Sequence, residues 1–389
     1  MKCTDAARGP RLVFFTGGTA LRDLSRTLSQ HTRNSIHIVT PFDSGGSTAA
    51  LRRAFAMPAV GDMRNRLLAL ADTSAVPPQV LAFCEARLPD TGDGESLRQE
   101  LRRMGQTDHA VWRDMPPNYA EALRRHLTFF LCRMPQDFAP HRASLGNLIL
   151  AGGYLEHRRD FGPILAMLGQ LLQVRGVVCP SVTESLHLAA ELADGSVLVG
   201  QHRFKDLTQP VRRLFLTVHE PERPGQHVAP QTPCRPPLAA EAAAWLRAPA
   251  LICYPMGSFY TSVLANLLPQ GVGRAIAAAP CPKVFIPNSG RDPELCGLSL
   301  VGQVGMLLRQ LREDAPHTPT EALLHWVVLD ERNGVYPGGT GAALREALAR
   351  MGVGLLCREM VSPADAQRHL PEQTVRVLLE LAARGEGQP

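Results

Sequence analysis

Arg11-Leu12-Val13-Phe14-Phe15-Thr16-Gly17-Gly18-Thr19 is an apolar segment that runs straight into a glycine pair. Its β-branched and aromatic side chains, with no polar alternation, fit a strand buried on both faces of a parallel sheet. Leu21, Leu24 and Leu28 then recur at helical spacing, and Ser35-Ile36-His37-Ile38-Val39-Thr40 supplies a second apolar run. Strand, glycine turn, helix and strand follow one another in a compact βαβ opening, the signature of an α/β protein.

The pattern returns further along. Ala250-Leu251-Ile252-Cys253-Tyr254 is an apolar strand that leads through Gly257-Ser258 into a helical stretch carrying Val263, Leu264, Leu267 and Leu268. Further strands are expected at Lys283-Val284-Phe285-Ile286, Trp326-Val327-Val328-Leu329 and Gly354-Leu355-Leu356-Cys357. Between the two glycine turns, Gly61-Asp62 opens a helical pattern at Met63, Leu67, Leu70 and Ala71, with Asp62 where an N-cap is expected. The stretch from Val174 to Phe204 reads as strands with a hairpin about Asp194-Gly195, a dipeptide that tolerates a tight turn.

At 389 residues the chain exceeds the ~250–300 at which a single core stops growing, so a large domain with a sizeable insertion is expected. Residues 1–84 and 143–389 form the main domain. Residues 85–142, rich in arginine and helical in pattern, form an inserted helical subdomain, and residues 220–237 a proline-rich loop. The insert's Arg98, Arg102, Arg103, Arg124 and Arg125 read as a solvated helix face.

With 45% hydrophobic and 20% charged residues the chain is ordinary globular material. The nine cysteines, Cys3, Cys84, Cys132, Cys179, Cys234, Cys253, Cys281, Cys296 and Cys357, are scattered and odd in number, with no pair at zinc or redox spacing. They read as reduced thiols. The N-terminus carries no apolar leader and no stretch reaches the ~20 apolar residues of a membrane span, so a cytoplasmic protein without membrane partners is expected. A net charge of +5, almost all arginine on the basic side and dispersed along the chain, does not imply nucleic acid. Arginine suits phosphate contacts, but a GC-rich coding bias yields the same excess.

The chemistry gathers at the strand ends. A strand that closes in glycines and feeds a helix brings backbone N–H groups to one point, which suits a phosphate, although the same turn also serves packing alone. Thr16-Gly17-Gly18-Thr19 matches neither the dinucleotide fingerprint nor a P-loop. Asp43 falls at the carboxyl edge of the second strand and Asp62 follows it. Beside a diphosphate the two carboxylates would hold a Mg²⁺; without one, Asp43 caps a turn and Asp62 a helix. Gly257-Ser258-Phe259-Tyr260-Thr261-Ser262 offers a second phosphate position, or an ordinary hydroxyl N-cap. Pro337-Gly338-Gly339-Thr340-Gly341 has no strand running into it and reads as a flexible connection. No His-x-x-x-His and no Gly-x-Ser-x-Gly is present, so zinc and serine-hydrolase chemistry lack support.

Taken in order, Gly17-Gly18-Thr19, Asp43-Ser44-Gly45-Gly46-Ser47, Gly61-Asp62-Met63-Arg64-Asn65, Ser144-Leu145-Gly146-Asn147, Gly257-Ser258-Phe259-Tyr260-Thr261-Ser262 and Asn288 resemble the CofD/YvcK family. The resemblance runs from about residue 11 to 310 and continues more weakly to Arg368-His369, sparing the insert. It implies a Rossmann-like, doubly wound, mainly parallel sheet and a ligand carrying a nucleotide diphosphate. Members of the CofD kind are Mg²⁺-dependent transferases that move a phospholactyl-type group onto a deazaflavin hydroxyl. Those of the YvcK kind bind UDP-sugars and are linked to gluconeogenic growth, and the motif wording here is nearer to them.

By position, the resemblance makes Asp43 and Asp62 the metal-side and catalytic carboxylates. It makes Gly17, Gly18, Thr19, Gly45, Gly46, Ser47, Arg64, Asn65, Asn147, Gly257, Ser258, Thr261, Asn288 and Arg368 ligand-binding residues. The expected partner is a nucleotide-linked small molecule, with further copies of the chain also allowed. Three departures bear on metal and sugar rather than on fold: Ser44 stands for the usual second aspartate, Pro255-Met256-Gly257 for a glycine-proline-glycine run, and Gln201 for a glutamate.

Overall fold

The computed structural model describes residues 9–218 and 232–385. In chain order, β1 (Leu12–Thr16), β2 (Ser35–Val39) and β3 (Val177–Pro180) come first. Next come β4 (His187–Leu192), β5 (Val197–Val199) and β6 (Val211–Thr217), then β7 (Leu251–Tyr254), β8 (Lys283–Phe285), β9 (Trp326–Leu329) and β10 (Gly354–Cys357). A short pair, β11 (Val361–Ser362) and β12 (Asp365–His369), closes the set.

Seven strands form one parallel sheet in the order β10-β9-β8-β7-β1-β2-β3. The chain therefore winds outward from β1 in one direction to β3, then restarts at β7 on the other side of β1 and winds to β10. That reversal is a topological switch point, and in open α/β sheets ligands bind outside the carboxyl ends of the strands there. β1 is the pivot: Leu12 to Thr16 pair with Ser35 to Val39 on one side, and Leu12 to Phe14 with Leu251 to Cys253 on the other.

All five residues of β1 are buried, and they alternate between two cores as a strand must. Leu12 and Phe14 pack with Leu24, Leu28, Leu378 and Leu381, beneath helices Arg22–Leu28 and Pro371–Gly385. Val13 and Phe15 join the larger core on the other face, with Ile38, Tyr254 and Leu307. The hairpin about Asp194-Gly195 belongs to a separate antiparallel sheet of order β5-β4-β6, with Gly195 at φ 83°.

Seven helices lie between β2 and β3, among them Gly46–Phe55, Gly61–Leu70, Pro117–Leu131 and Leu145–Glu156. The inserted stretch 85–142 is helical as expected, and its Leu101, Leu123 and Leu127 share one apolar cluster with the neighbouring helices. Its arginines pair across solvent: Arg98 and Arg102 with Glu95, Arg103 with Glu100, and Arg125 with Glu156. Such exposed pairs are worth at most about 1 kcal/mol each.

Two local expectations are corrected. Val60, not Asp62, is the N-cap of helix Gly61–Leu70, and Asp62 sits inside its first turn with the carboxylate turned to the sheet edge. The segment after Ser258 is a π-helical turn, Phe259–Val263, followed by a 3₁₀ turn, Leu264–Leu267, where an α-helix was expected. The eight described cysteines are free thiols, while Cys3 lies outside the described residues, as does most of the proline-rich loop. Among the described residues no helix is long and apolar enough to cross a membrane.

Candidate functional site

Both glycine turns leave the sheet at the switch point, one from each of its central strands. Gly17 and Gly18 follow β1 and are buried, whereas Thr19 and Ala20 are exposed. Gly257 follows β7 at φ 141°, a conformation that favours glycine, and a Cβ there would lie 3.2 Å from the Cβ of Ala20. Asn266 ties the two together from below. Its amide donates to the carbonyls of Thr16 at 3.1 Å, Ile38 at 3.2 Å and Ser262 at 2.8 Å, linking the ends of β1 and β2 to the second turn.

One side of the first turn is a carboxylate cluster. The backbone N–H of Gly18 donates to Asp62, and Thr40 Oγ1 donates to Asp62 Oδ2 at 3.3 Å. A Cβ on Gly18 would fall 2.5 Å from Asp62 Oδ1 and 2.8 Å from Asn65 Nδ2, so only glycine allows this approach. Asp43 accepts the N–H of Gly45 at 3.0 Å through Oδ1, which caps the turn into helix Gly46–Phe55. Its Oδ2 faces Gly61, 3.0 Å from where a Cβ would stand.

Burial first, and the neighbouring charge of Asp43 second, push the Asp62 carboxyl up to about 7, against the lowering effects of Thr40, Arg66 and Gly18. Two carboxylates pressed together in this way fit a divalent cation, which would relieve their repulsion. Among the described residues no third His, Cys, Asp or Glu joins them, so water and ligand oxygens would complete such a shell.

Buried side chains hold this cluster in place. Arg66, one helical turn from Asp62, donates from Nε to Gly18 O at 3.1 Å and from Nη1 to Ser25 Oγ at 3.0 Å. Burial lowers its pKa only to about 10, so it stays cationic behind the turn. Arg52 donates from Nη1 to the carbonyls of Phe42 at 3.3 Å and Asp43 at 3.1 Å. Arg64 donates to Ser144 Oγ and, at 2.7 Å, to Asn65 Oδ1, and Asn147 Nδ2 donates to Ser47 Oγ at 3.1 Å. Arg64, Ser47 and Asn147 are thus buried and spend polar groups inside the protein. Ser44 Oγ lies 2.7 Å from His202 Nδ1 and accepts the His202 N–H at 3.3 Å.

The other side of the turn is an open cavity of about 410 Å³. Thr19 and Ala20 line it with Met256 and Asn288 from the β7 and β8 ends, and with Arg368 and His369 from β12. Arg368 is exposed and pairs with no acidic side chain among the described residues. Burial lowers the His369 pKa to about 4, against a small opposing effect of Asp330, so the imidazole is neutral. Asn288 fixes the rim: it accepts the Gly257 N–H through Oδ1 and donates through Nδ2 to Gly257 O, each at 2.7 Å.

The structure therefore brings Gly17, Gly18, Gly45, Asp43, Asp62 and Asn65 together on one side, and Thr19, Asn288 and Arg368 on the other. Gly257 meets Ala20 between them, and Gly46 is exposed at a helix start. Ser258 and Thr261 lie against Glu294, which accepts both Thr261 donors. Arg66, Arg52, Asn266 and Glu294 were not singled out in the sequence. Only Arg66 left a signal there, its four-residue spacing from Asp62.

The pattern of the family described as 2-phospho-L-lactate transferase CofD matches residues 12–336. A Bacillus subtilis protein named gluconeogenesis factor is 31% identical over 284 residues, which cover 73% of this chain and 69% of that protein. A relative from Deinococcus radiodurans is 28% identical over 382 residues, 96% of this chain and 66% of its own length. The chain thus spans about two thirds of the length of these two relatives. The crystal structure of a UPF0052 family member from Bacillus halodurans superposes with a TM-score of 0.65 at 23% identity, covering 96% of this chain and all of the other.

Proposed function

The chain belongs to the CofD family, and on that premise we propose that it binds a nucleotide-diphosphate-linked ligand of the UDP-sugar type at the switch point between β1 and β7. One observation carries this reading: Thr19, Asn288 and Arg368, far apart in sequence, line a single cavity of about 410 Å³ at the carboxyl edge of the sheet. Ligand sites of drug size occupy ~300–1,000 Å³ and favour this position. The diphosphate lies over Gly17-Gly18-Thr19, and the exposed Arg368 guanidinium meets it as a bidentate donor. Asp43 and Asp62 would hold a Mg²⁺ beside the turn. Bound there, the ion would neutralise diphosphate charge.

Occupancy is read by another protein, in keeping with the gluconeogenesis-factor name of the Bacillus subtilis relative. Calorimetry with UDP-sugars tests the binding. A second reading, a Mg²⁺-dependent transferase moving a phospholactyl-like group to a hydroxyl acceptor such as a deazaflavin, is favoured by the paired carboxylates and by the family's description. In that case Asp62→Asn abolishes transfer while the fold survives.

A further inference from the structure

The turn after β7 carries three Ser and Thr hydroxyls, Ser258, Thr261 and Ser262, at a strand-to-helix junction, a pattern that reads as a second phosphate position. The donors of Thr261 and the Ser258 hydroxyl already have an acceptor. The Thr261 N–H donates to Glu294 Oε2 at 3.2 Å and its hydroxyl to Oε1 at 2.6 Å, and the Ser258 hydroxyl bonds the same carboxyl. Glu294 is 7% exposed and Thr261 2%.

The carboxyl is itself held from behind. The N–H of Glu294 donates to Asp292 Oδ1 at 2.9 Å, and Asp292 Oδ2 accepts from Asn288 Nδ2, also at 2.9 Å. Asn288 in turn clamps the Gly257 peptide from both edges. Residues 288 to 294 thus grip residues 257 to 261 at both ends. Turning Thr261 to an external phosphate would leave the buried Glu294 carboxyl without two of its donors, a desolvation cost that nothing else in the turn offsets.

We propose that Glu294 is the resident acceptor of the second turn, a positioning residue that fixes Met256-Gly257-Ser258 as a rigid wall of the cavity. Ligand phosphate is then received on the Gly17-Gly18-Thr19 side alone. What the wall faces rests on the crevice reading above. Occupation of the turn by Glu294 does not.

Thermal unfolding of the full chain, with and without formate or inorganic phosphate, tests this. Glu294→Ala should lower the Tm, and formate should restore it in a saturable way by filling the vacated carboxyl position. The double variant Glu294→Ala/Thr261→Val should gain nothing, and the wild-type chain should gain nothing that depends on Thr261. Glu294→Gln, which can still accept the Thr261 N–H, should fold and keep the Tm at pH 6. The proposal is overturned if formate fails to rescue folded Glu294→Ala. It is equally overturned if phosphate raises the wild-type Tm and Thr261→Val removes that gain, a comparison that stands even if Glu294→Ala does not fold. Failure of the crevice reading would appear separately, as wild-type protein that binds no UDP-sugar while formate rescue persists.

Discussion

Arg66, fully buried in helix Gly61–Leu70, donates from Nε to the carbonyl oxygen of Gly18 at 3.1 Å. That bond turns the Gly18 carbonyl inward and its N–H toward Asp62, so one buried cation sets the direction of the turn. Removing the guanidinium leaves Gly18 O and Ser25 Oγ without a donor and Asp62 without its countercharge. Arg66→Met should cost about 3 kcal/mol in urea unfolding, in the range for breaking a buried charged network. A loss below about 1 kcal/mol would mean that the guanidinium is not what supports the turn.

Gly18→Ala and Gly46→Ala separate steric from conformational cost. At Gly18 the new Cβ meets Asp62 and Asn65 at 2.5 and 2.8 Å, and the side chain must move the carboxylate cluster. At Gly46, φ is 50° with nothing within 4 Å, so the cost is backbone strain of about 1 kcal/mol. Chemical denaturation should show the two losses within about 2 kcal/mol of each other. Ligand affinity should fall tenfold or more for Gly18→Ala and little for Gly46→Ala.

These predictions also mark what the sequence disclosed. The apolar runs of β1, β2 and β7 to β10 stood out because strands buried on both faces leave little room for polar residues, and Asp194-Gly195 marked the hairpin by its turn chemistry. Gly17, Gly18, Asp43 and Asp62 could be placed at the sheet edge because each directly follows an apolar strand run or opens a helical pattern. Asn266, Arg52 and Glu294 were not. Their roles depend on partners brought close by tertiary folding, such as Thr16 for Asn266 and Leu186 for Arg52, and no local pattern records them. The π-helical turn at Phe259 was missed for a related reason. Its start is held by Glu294, outside any local helix signal.

Glu294 gives stability a pH dependence of known sign. Burial, more than the neighbouring Asp292, raises its pKa from 4.5 to about 7, against the lowering hydrogen bonds of Thr261. Between those values the unfolded chain has released the proton and the folded chain keeps it, so stability falls as pH rises through this window. The loss approaches about 3 kcal/mol by pH 8. Glu294→Gln, which cannot ionise, should remove the Glu294 share of that slope in urea unfolding between pH 5 and 8, leaving the share of Asp62, whose pKa is also raised to about 7. An unchanged slope would remove Glu294 as a source.

Asp330 anchors the β11–β12 hairpin that carries Arg368. Its Oδ1 accepts the N–H groups of Arg332 and Asn333, and its Oδ2 those of Met360 and Val361, all at 2.9 to 3.0 Å. Burial alone would raise its pKa, but these donors hold it at about 2. An amide at this position would oppose at least two N–H groups with its own. Asp330→Asn should therefore destabilise by about 2–4 kcal/mol and weaken ligand binding through the displaced Arg368. In the wild-type chain this contribution is present above pH 4 and lost as pH falls toward 2. Equal stability and affinity in the variant would show that the hairpin needs no anchor.

Calorimetric titration of the wild-type chain and Arg368→Ala with UDP-glucose and with GDP, in the presence of Mg²⁺, tests the central claim most directly. The crevice reading predicts one UDP-sugar site per chain, weakened at least tenfold in Arg368→Ala, a loss of about 1.4 kcal/mol or more. No heat from UDP-sugars, with the guanosine diphosphate binding instead, would contradict it.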